Sequence, residues 1–144
     1  MRKSILYTLF RMGRLPKDMA QILEGEGIVL LDEGIPGSIT LRNFRAPGRI
    51  HGYKKTLFAG SLVVTELRFA AFAFSRPMVN VPLGDPKLNL LDITIDRRKA
   101  LMVKFDAHRF HEEWKGTVEL RFASSVAHMF VERLSGSVRS EAIQ

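Results

Sequence analysis

Gly116-Thr-Val-Glu-Leu-Arg-Phe122, followed by Ala-Ser124-Ser125-Val126-Ala-His-Met129-Phe130-Val-Glu-Arg-Leu134-Ser-Gly136, is the stretch on which the fold turns. In its first half Val118, Leu120 and Phe122 alternate with Thr117, Glu119 and Arg121, the period of a half-buried strand. In its second half Val126, Met129, Phe130 and Leu134 recur at i, i+3, i+4 and i+8, the stripe of an amphipathic helix. Ser124 or Ser125 stands where an N-cap belongs, and Gly136 where a C′ glycine belongs. A strand that runs straight into such a helix places the helix over an end or face of a sheet, because both apolar surfaces need a partner.

Upstream of this switch the chain reads as strands joined by short turns. Ile28 to Leu31 is a compact apolar run. Glu33-Gly-Ile-Pro-Gly37 has turn chemistry, and Gly37 to Arg42 alternates with Ile39 and Leu41 on one face. Ala46-Pro-Gly48 turns the chain into Arg49 to Phe58. Leu62 to Glu66 and Arg68 to Phe74 are rich in β-branched and aromatic residues. A turn at Ser75-Arg-Pro77 leads to Met78–Val81. Leu88 to Ile95 and Ala100 to Phe105 flank a hairpin loop at Asp96-Arg97-Arg98-Lys99. At the N-terminal end, Ile5, Leu6, Leu9 and Phe10 share one side of a short helix over residues 4–12. A second helix is predicted from Pro16 to Glu24, with Pro in its first turn, Asp18 near its positive end and Met19, Ile22 and Leu23 as its stripe. The expected fold is mainly β: an antiparallel barrel or sandwich of about seven strands, capped by a C-terminal α-helix and preceded by short N-terminal helices. The expected division is an arm over residues 1–25, a β domain over 26–136 and a polar tail over 137–144. Phe69, Phe72 and Phe74 fall on both faces of one strand, so at least one ring requires cover from the arm or a partner.

The chain has 144 residues, 46% hydrophobic and 26% charged, a globular composition for one domain. It contains no cysteine, which excludes a disulfide framework, a thiolate nucleophile and a Cys-based zinc site. The formal charge of +7 is unevenly placed. Residues 1–17 carry Arg2, Lys3, Arg11, Arg14 and Lys17 and no acid, which leaves 17 basic and 15 acidic side chains for the rest. With the body nearly balanced, the charge is no argument for a nucleic-acid partner. The apolar stretch Leu62–Phe74 is broken by Glu66 and Arg68 and is too short for a bilayer. The apolar run Ile5–Phe10 meets Arg11 with no small-residue cleavage site, so it does not read as a secretory leader. A cytoplasmic location is expected, with a membrane-peripheral one as the alternative.

Four segments carry a family likeness. Leu23-Glu-Gly-Glu-Gly-Ile-Val-Leu30-Leu31 is an acidic-Gly lead into a strand. Gly60-Ser-Leu-Val-Val-Thr65-Glu-Leu-Arg68 follows a G-x-L-x-x-T-x-x-R pattern. Val79-Asn-Val81-Pro82-Leu83 is an x-V-P-L segment, and Phe122-Ala-Ser-Ser-Val-Ala-His-Met-Phe130 joins a Phe-bearing strand to a helix. Over about residues 23–136 the chain resembles the pleckstrin-homology-like superfold, particularly its GRAM and bacterial PH-like branches. The resemblance implies a binding module for phosphoinositides, proteins or peptides.

Arg42, Arg45, Arg49, Lys54 and Lys55 lie between Glu33 and Glu66 with no intervening acid. They are the candidate site for a phosphorylated headgroup or an acidic partner surface. The plainer reading is a solvated face balanced by the acids of residues 18–33. Arg97-Arg98-Lys99 reads as a protected hairpin tip. His108 and His111, flanked by carboxylates, are the nearest thing to a metal site, but two ligands are too few for zinc. No Gly-x-Ser-x-Gly elbow, P-loop or His-Glu-x-x-His helix occurs, so no enzyme activity and no cofactor are expected. The leading expectation is a non-enzymatic scaffold recognising a protein or peptide. The runner-up is an anionic-lipid module assisted by the N-terminal arm, which can alternatively pack on the domain or on a second subunit. A lipocalin-like barrel around a small apolar ligand is the structural alternative.

Overall fold

A computed structural model describes the backbone of residues 15–143 and the side chains of residues 15–135; the helix expected over 4–12 lies outside the described residues. The chain runs through α1 (Lys17–Glu26), β1 (Ile28–Ala46), β2 (Arg49–Thr65), β3 (Arg68–Ala73), β4 (Arg76–Pro82), β5 (Asp92–Ile95), β6 (Leu101–Asp106), β7 (Lys115–Phe122) and α2 (Ala127–Ile143). Short 3₁₀ turns at Pro86–Leu90 and Ala107–Arg109 join β4 to β5 and β6 to β7. The seven strands form one antiparallel sheet in the order β4-β3-β2-β1-β7-β6-β5. It curls into a half-barrel with edges at β4 and β5. The mainly β, helix-capped architecture expected from the sequence is the one observed.

β1 is the hinge of this arrangement. It pairs with β2 along nearly its whole length and with β7 from Gly37 to Arg45. The turn expected at Glu33–Gly37 does not form. Gly34 takes φ 69°, and the register slips between Glu33 and Ile35. The extra residue is absorbed as a bulge that twists the strand without ending it. The strands expected separately at Arg49–Phe58 and Leu62–Glu66 are likewise one strand, because Gly60 does not break it. A methyl group on Gly60 would lie 2.3 Å from Phe72 O and 2.8 Å from the Phe58 ring. A methyl group on Gly37, across from Phe58, would lie 2.4 Å from Arg121 O. These two glycines let the sheet bend tightly where β1 passes between β2 and β7.

The concave face holds the main core, which includes Ile35, Leu62, Val64, Phe69, Leu101, Val103, Leu120 and Phe122. The convex face of β2–β3 is buried as well. Val63, Ala70 and Phe72 pack with Leu23, and with Leu15, Met19 and Ile28 around them. This explains the continuous apolar runs in β2 and β3, since a strand covered on both faces loses its alternation. The cover that the Phe69–Phe74 strand requires comes from α1. Glu26 fastens α1 in place: it accepts Thr65 Oγ1 at 2.9 Å and is gripped by the Arg68 guanidinium, whose Nε donates at 2.8 Å. Arg68 also donates to Asn80 on β4 at 3.0 Å.

α2 closes one end of the half-barrel. Ala127, Phe130 and Leu134 are buried against Leu88 and Leu91. Met129, expected in the stripe, is 41% exposed, and Ala127 takes its place. Ser124 accepts from Val126 N at 3.2 Å and so holds the turn before the helix. Gly136 does not end the helix, which runs on to Ile143. The segment Leu88–Leu90, expected as strand, is 3₁₀ turn; Asp85 caps it by accepting from Lys87 N at 2.9 Å.

Candidate functional site

The end of the half-barrel opposite α2 is open. Its mouth is a cavity of about 510 Å³. Ile39 and Leu41 of β1, Phe58 of β2, Phe105 of β6 and Val118 of β7 are among the residues that form its floor and walls. Aromatic rings stand around it in three contacts. Phe44 meets Trp114 edge-on at 5.4 Å, His111 stacks on Trp114 at 3.8 Å, and Phe58 meets Phe74 edge-on at 6.3 Å. The cations at the mouth are Arg49, Lys54 and Arg76. Among the described residues no carboxylate lines it. Arg49 lies over the Phe44 ring at 5.6 Å. Among the described residues neither Arg49 nor Lys54 is in an ion pair.

Local backbone geometry builds this mouth. Asn43 takes φ 50°, and the alternation of β1 is interrupted there: Leu41 and Phe44, three residues apart, are both core. On the opposite wall β3 and β4 are joined by a two-residue turn, Phe74-Ser75, with φ 52° and 64°. Both values are those of a type I′ hairpin, which matches the twist of the strands it joins. A phenylalanine in the left-handed region is strained by its Cβ. The turn expected at Ser75–Pro77 therefore begins one residue earlier, and Arg76 and Pro77 belong to β4.

The five cations singled out in the sequence do not converge. Cross-strand pairs put Arg42 beside Tyr53, Thr40 beside Lys55 and Leu41 beside Lys54. Since neighbours in a strand point to opposite faces, Lys54 joins the mouth and Lys55 the convex face. Arg49 also joins the mouth. Arg45 is exposed near the tip of the β1–β2 hairpin, paired with Ile50 across the ladder. Arg42 is on the convex face, where it donates to Glu119 at 3.0 Å and covers the Tyr53 ring at 5.2 Å. Arg76, unnoticed in the sequence, completes the mouth. A Lys-Lys pair inside a strand was the signal that the patch would be split.

On the convex face two carboxylates hold neighbouring cations. Glu119 also faces Lys104 at 4.0 Å, and Arg121 donates to Asp96 at 2.7 Å. Burial alone would raise the Asp96 carboxyl, but donation from Ala100 N, Arg121 and Arg98 N holds it below its ordinary value. Hydrogen bonding from Arg68 above all, then from Thr65, likewise lowers Glu26. Arg97, Arg98 and Lys99 sit at the β5–β6 tip, as expected, with Lys99 at φ 65°.

His108 and His111 diverge. His108 Nδ1 lies 3.2 Å from Glu112 O, while His111 turns to Trp114 and the mouth. Among the described residues no group of three or more His, Asp or Glu is arranged to hold a metal ion. Nor is any helix there long and apolar enough to cross a membrane. A smaller hollow of about 280 Å³ lies at the α2 end between Leu88, Ile93 and Leu134, without a cluster of charged groups. No family model matches the chain, and neither a curated protein nor a solved structure matches it.

Proposed function

We propose that this chain is a non-enzymatic, PH-like binding domain whose open mouth recognises an acidic segment of a protein or peptide partner bearing an apolar side chain. The observation that carries this reading is the lining of the mouth: apolar and aromatic walls with Arg49, Lys54 and Arg76 and no acid. Sites of this size with apolar walls and a few convergent polar groups are the usual form of a ligand pocket. Cations at the entrance steer and orient an anionic partner, while the apolar group supplies burial. The strand order and the capping helix support the PH-like reading.

Trp114 is the one tryptophan of the chain and lines the mouth, so its emission reports occupancy. Titration with an acetylated, amidated Glu-Leu-Glu-Phe-Glu-Leu peptide is expected to shift that emission saturably. Lys54→Glu together with Arg76→Glu abolishes the shift. An unchanged emission at all peptide concentrations would remove the proposal.

One observation favours the lipid alternative. Ile50, 75% exposed, stands at the β1–β2 hairpin end between Arg45 and Arg49, an apolar residue among cations as on membrane-surface loops. Sedimentation with phosphatidylserine-containing vesicles, compared for wild type and Ile50→Glu, tests it; no co-sedimentation at low salt sinks it.

A further inference from the structure

The edge of β2 beside the mouth is open. β2 pairs with β1 along its length, but β3 pairs with it only from Gly60 to Val64. β3 ends at Ala73, and the last bond across this side is Phe74 N to Ala59 O at 3.1 Å. From Phe58 back to Arg49, no strand among the described residues covers the second edge of β2. The register with β1 is unbroken here, so the backbone alternates regularly. Because Ala59 points its carbonyl to the β3 side, Leu57, Lys55 and Tyr53 point their N–H and C=O groups the same way. The β1 partners use the groups of Phe58, Thr56 and Lys54.

We infer that the Tyr53–Leu57 edge is a template on which the partner segment adds as a β-strand, filling the place that β3 would occupy if it were longer. This rests on the proposed function above and fixes its geometry. The inward side chains of an added strand fall beside Lys54, Thr56 and Phe58, which line the cavity. The outward ones fall beside Tyr53, Lys55 and Leu57. Leu57 and Tyr53 are 73% and 60% exposed, so this is not a fully charge-blunted edge.

Charge selects the occupant. Residues 34–65 contain no acid, and the edge is flanked by Arg49, Lys54, Lys55 and Arg76. A second copy pairing through the same edge would set these cations against one another. Residues 1–14 of this chain carry Arg2, Lys3, Arg11 and Arg14 and no acid, so they are of the wrong sign as well. An acidic peptide with alternate apolar residues fits both the ladder and the mouth.

The test uses the full chain and the Glu-Leu-Glu-Phe-Glu-Leu peptide in three forms: unmodified, and N-methylated at alternate amides in either of the two phases. Strand addition predicts that one phase, whose amides face β2, weakens binding by about tenfold or more, while the other leaves it nearly unchanged. Leu57→Pro, which removes an outward N–H that β1 does not use, is expected to keep the fold by circular dichroism and to weaken the unmodified peptide similarly. Equal effects of both phases, or none, overturn strand addition and leave the mouth reading standing. Absence of saturable binding by the unmodified peptide overturns both. A dimer by sedimentation velocity that dissociates on Leu57→Pro assigns the edge to a second copy and overturns the inference.

Discussion

The Ser124 hydroxyl donates to Asp32 Oδ2 at 2.7 Å across 92 positions of sequence, and both residues are buried. The bond ties the beginning of β1 to the approach of α2. Removing one member of a buried hydrogen bond costs more than the bond itself is worth, because the polar group left behind is poorly solvated. Ser124→Ala is expected to lower stability by about 1–3 kcal/mol in urea unfolding. An Asp32→Asn, Ser124→Ala double mutant should lose less than the sum of the single losses, because the two share one interaction.

Phe74 is the strained residue of the mouth wall. Phe74→Asn should relieve the left-handed backbone and raise stability by up to about 1 kcal/mol, since Asn tolerates this conformation. The same change removes the ring that meets Phe58. A higher melting temperature combined with weaker peptide binding by Trp114 emission is the expected result. A variant that melts lower would show that ring packing outweighs the strain.

The depressed carboxyls of Glu26 and Asp96 make stability pH-dependent. Their contribution is fully present above the ordinary values of 4.5 and 3.8, and is lost as pH falls through the lowered folded values. Glu26→Gln should therefore cost about 1–2 kcal/mol at neutral pH. In urea midpoints taken across the acid range, the gap between variant and wild type should begin to narrow as pH falls past 4.5 and close once it is below the lowered folded value. A gap that stays constant with pH would assign the loss to packing of α1 instead.

Gly60→Ala should destabilise by about 1–3 kcal/mol, because the new methyl meets a carbonyl oxygen of β3 and two aromatic rings. Gly52→Ala is the control: a methyl there meets nothing within 4 Å. Thermal unfolding of both variants checks the contrast.

The order of elements was legible in the sequence because alternation and helical stripes survive wherever a segment has one buried face. β7 and α2 are such segments. The errors cluster where that condition fails. Glycine and proline at 34–37 announce a turn in isolation, yet pairing with β2 continues on both sides of Gly34 and turns it into a bulge. Gly136 resembles a helix stop, but the helix continues past it. The mouth was half legible. Lys54 and Arg49 stand out by their charge, but Arg76, Phe44 and Trp114 come from distant elements that only the curl of the sheet brings together.

The half-barrel is built from two meanders, β1–β4 and β5–β7 with α2, and among the described residues β1 against β7 is the only strand ladder between them. The segment between Pro82 and Asp92 forms no strand ladder. A chain cut there would become two fragments, each holding intact hairpins, with complementary edges and an apolar interior to bury on meeting. The molecule is thus a natural candidate for a split reporter, reassembled by zipping β7 onto β1.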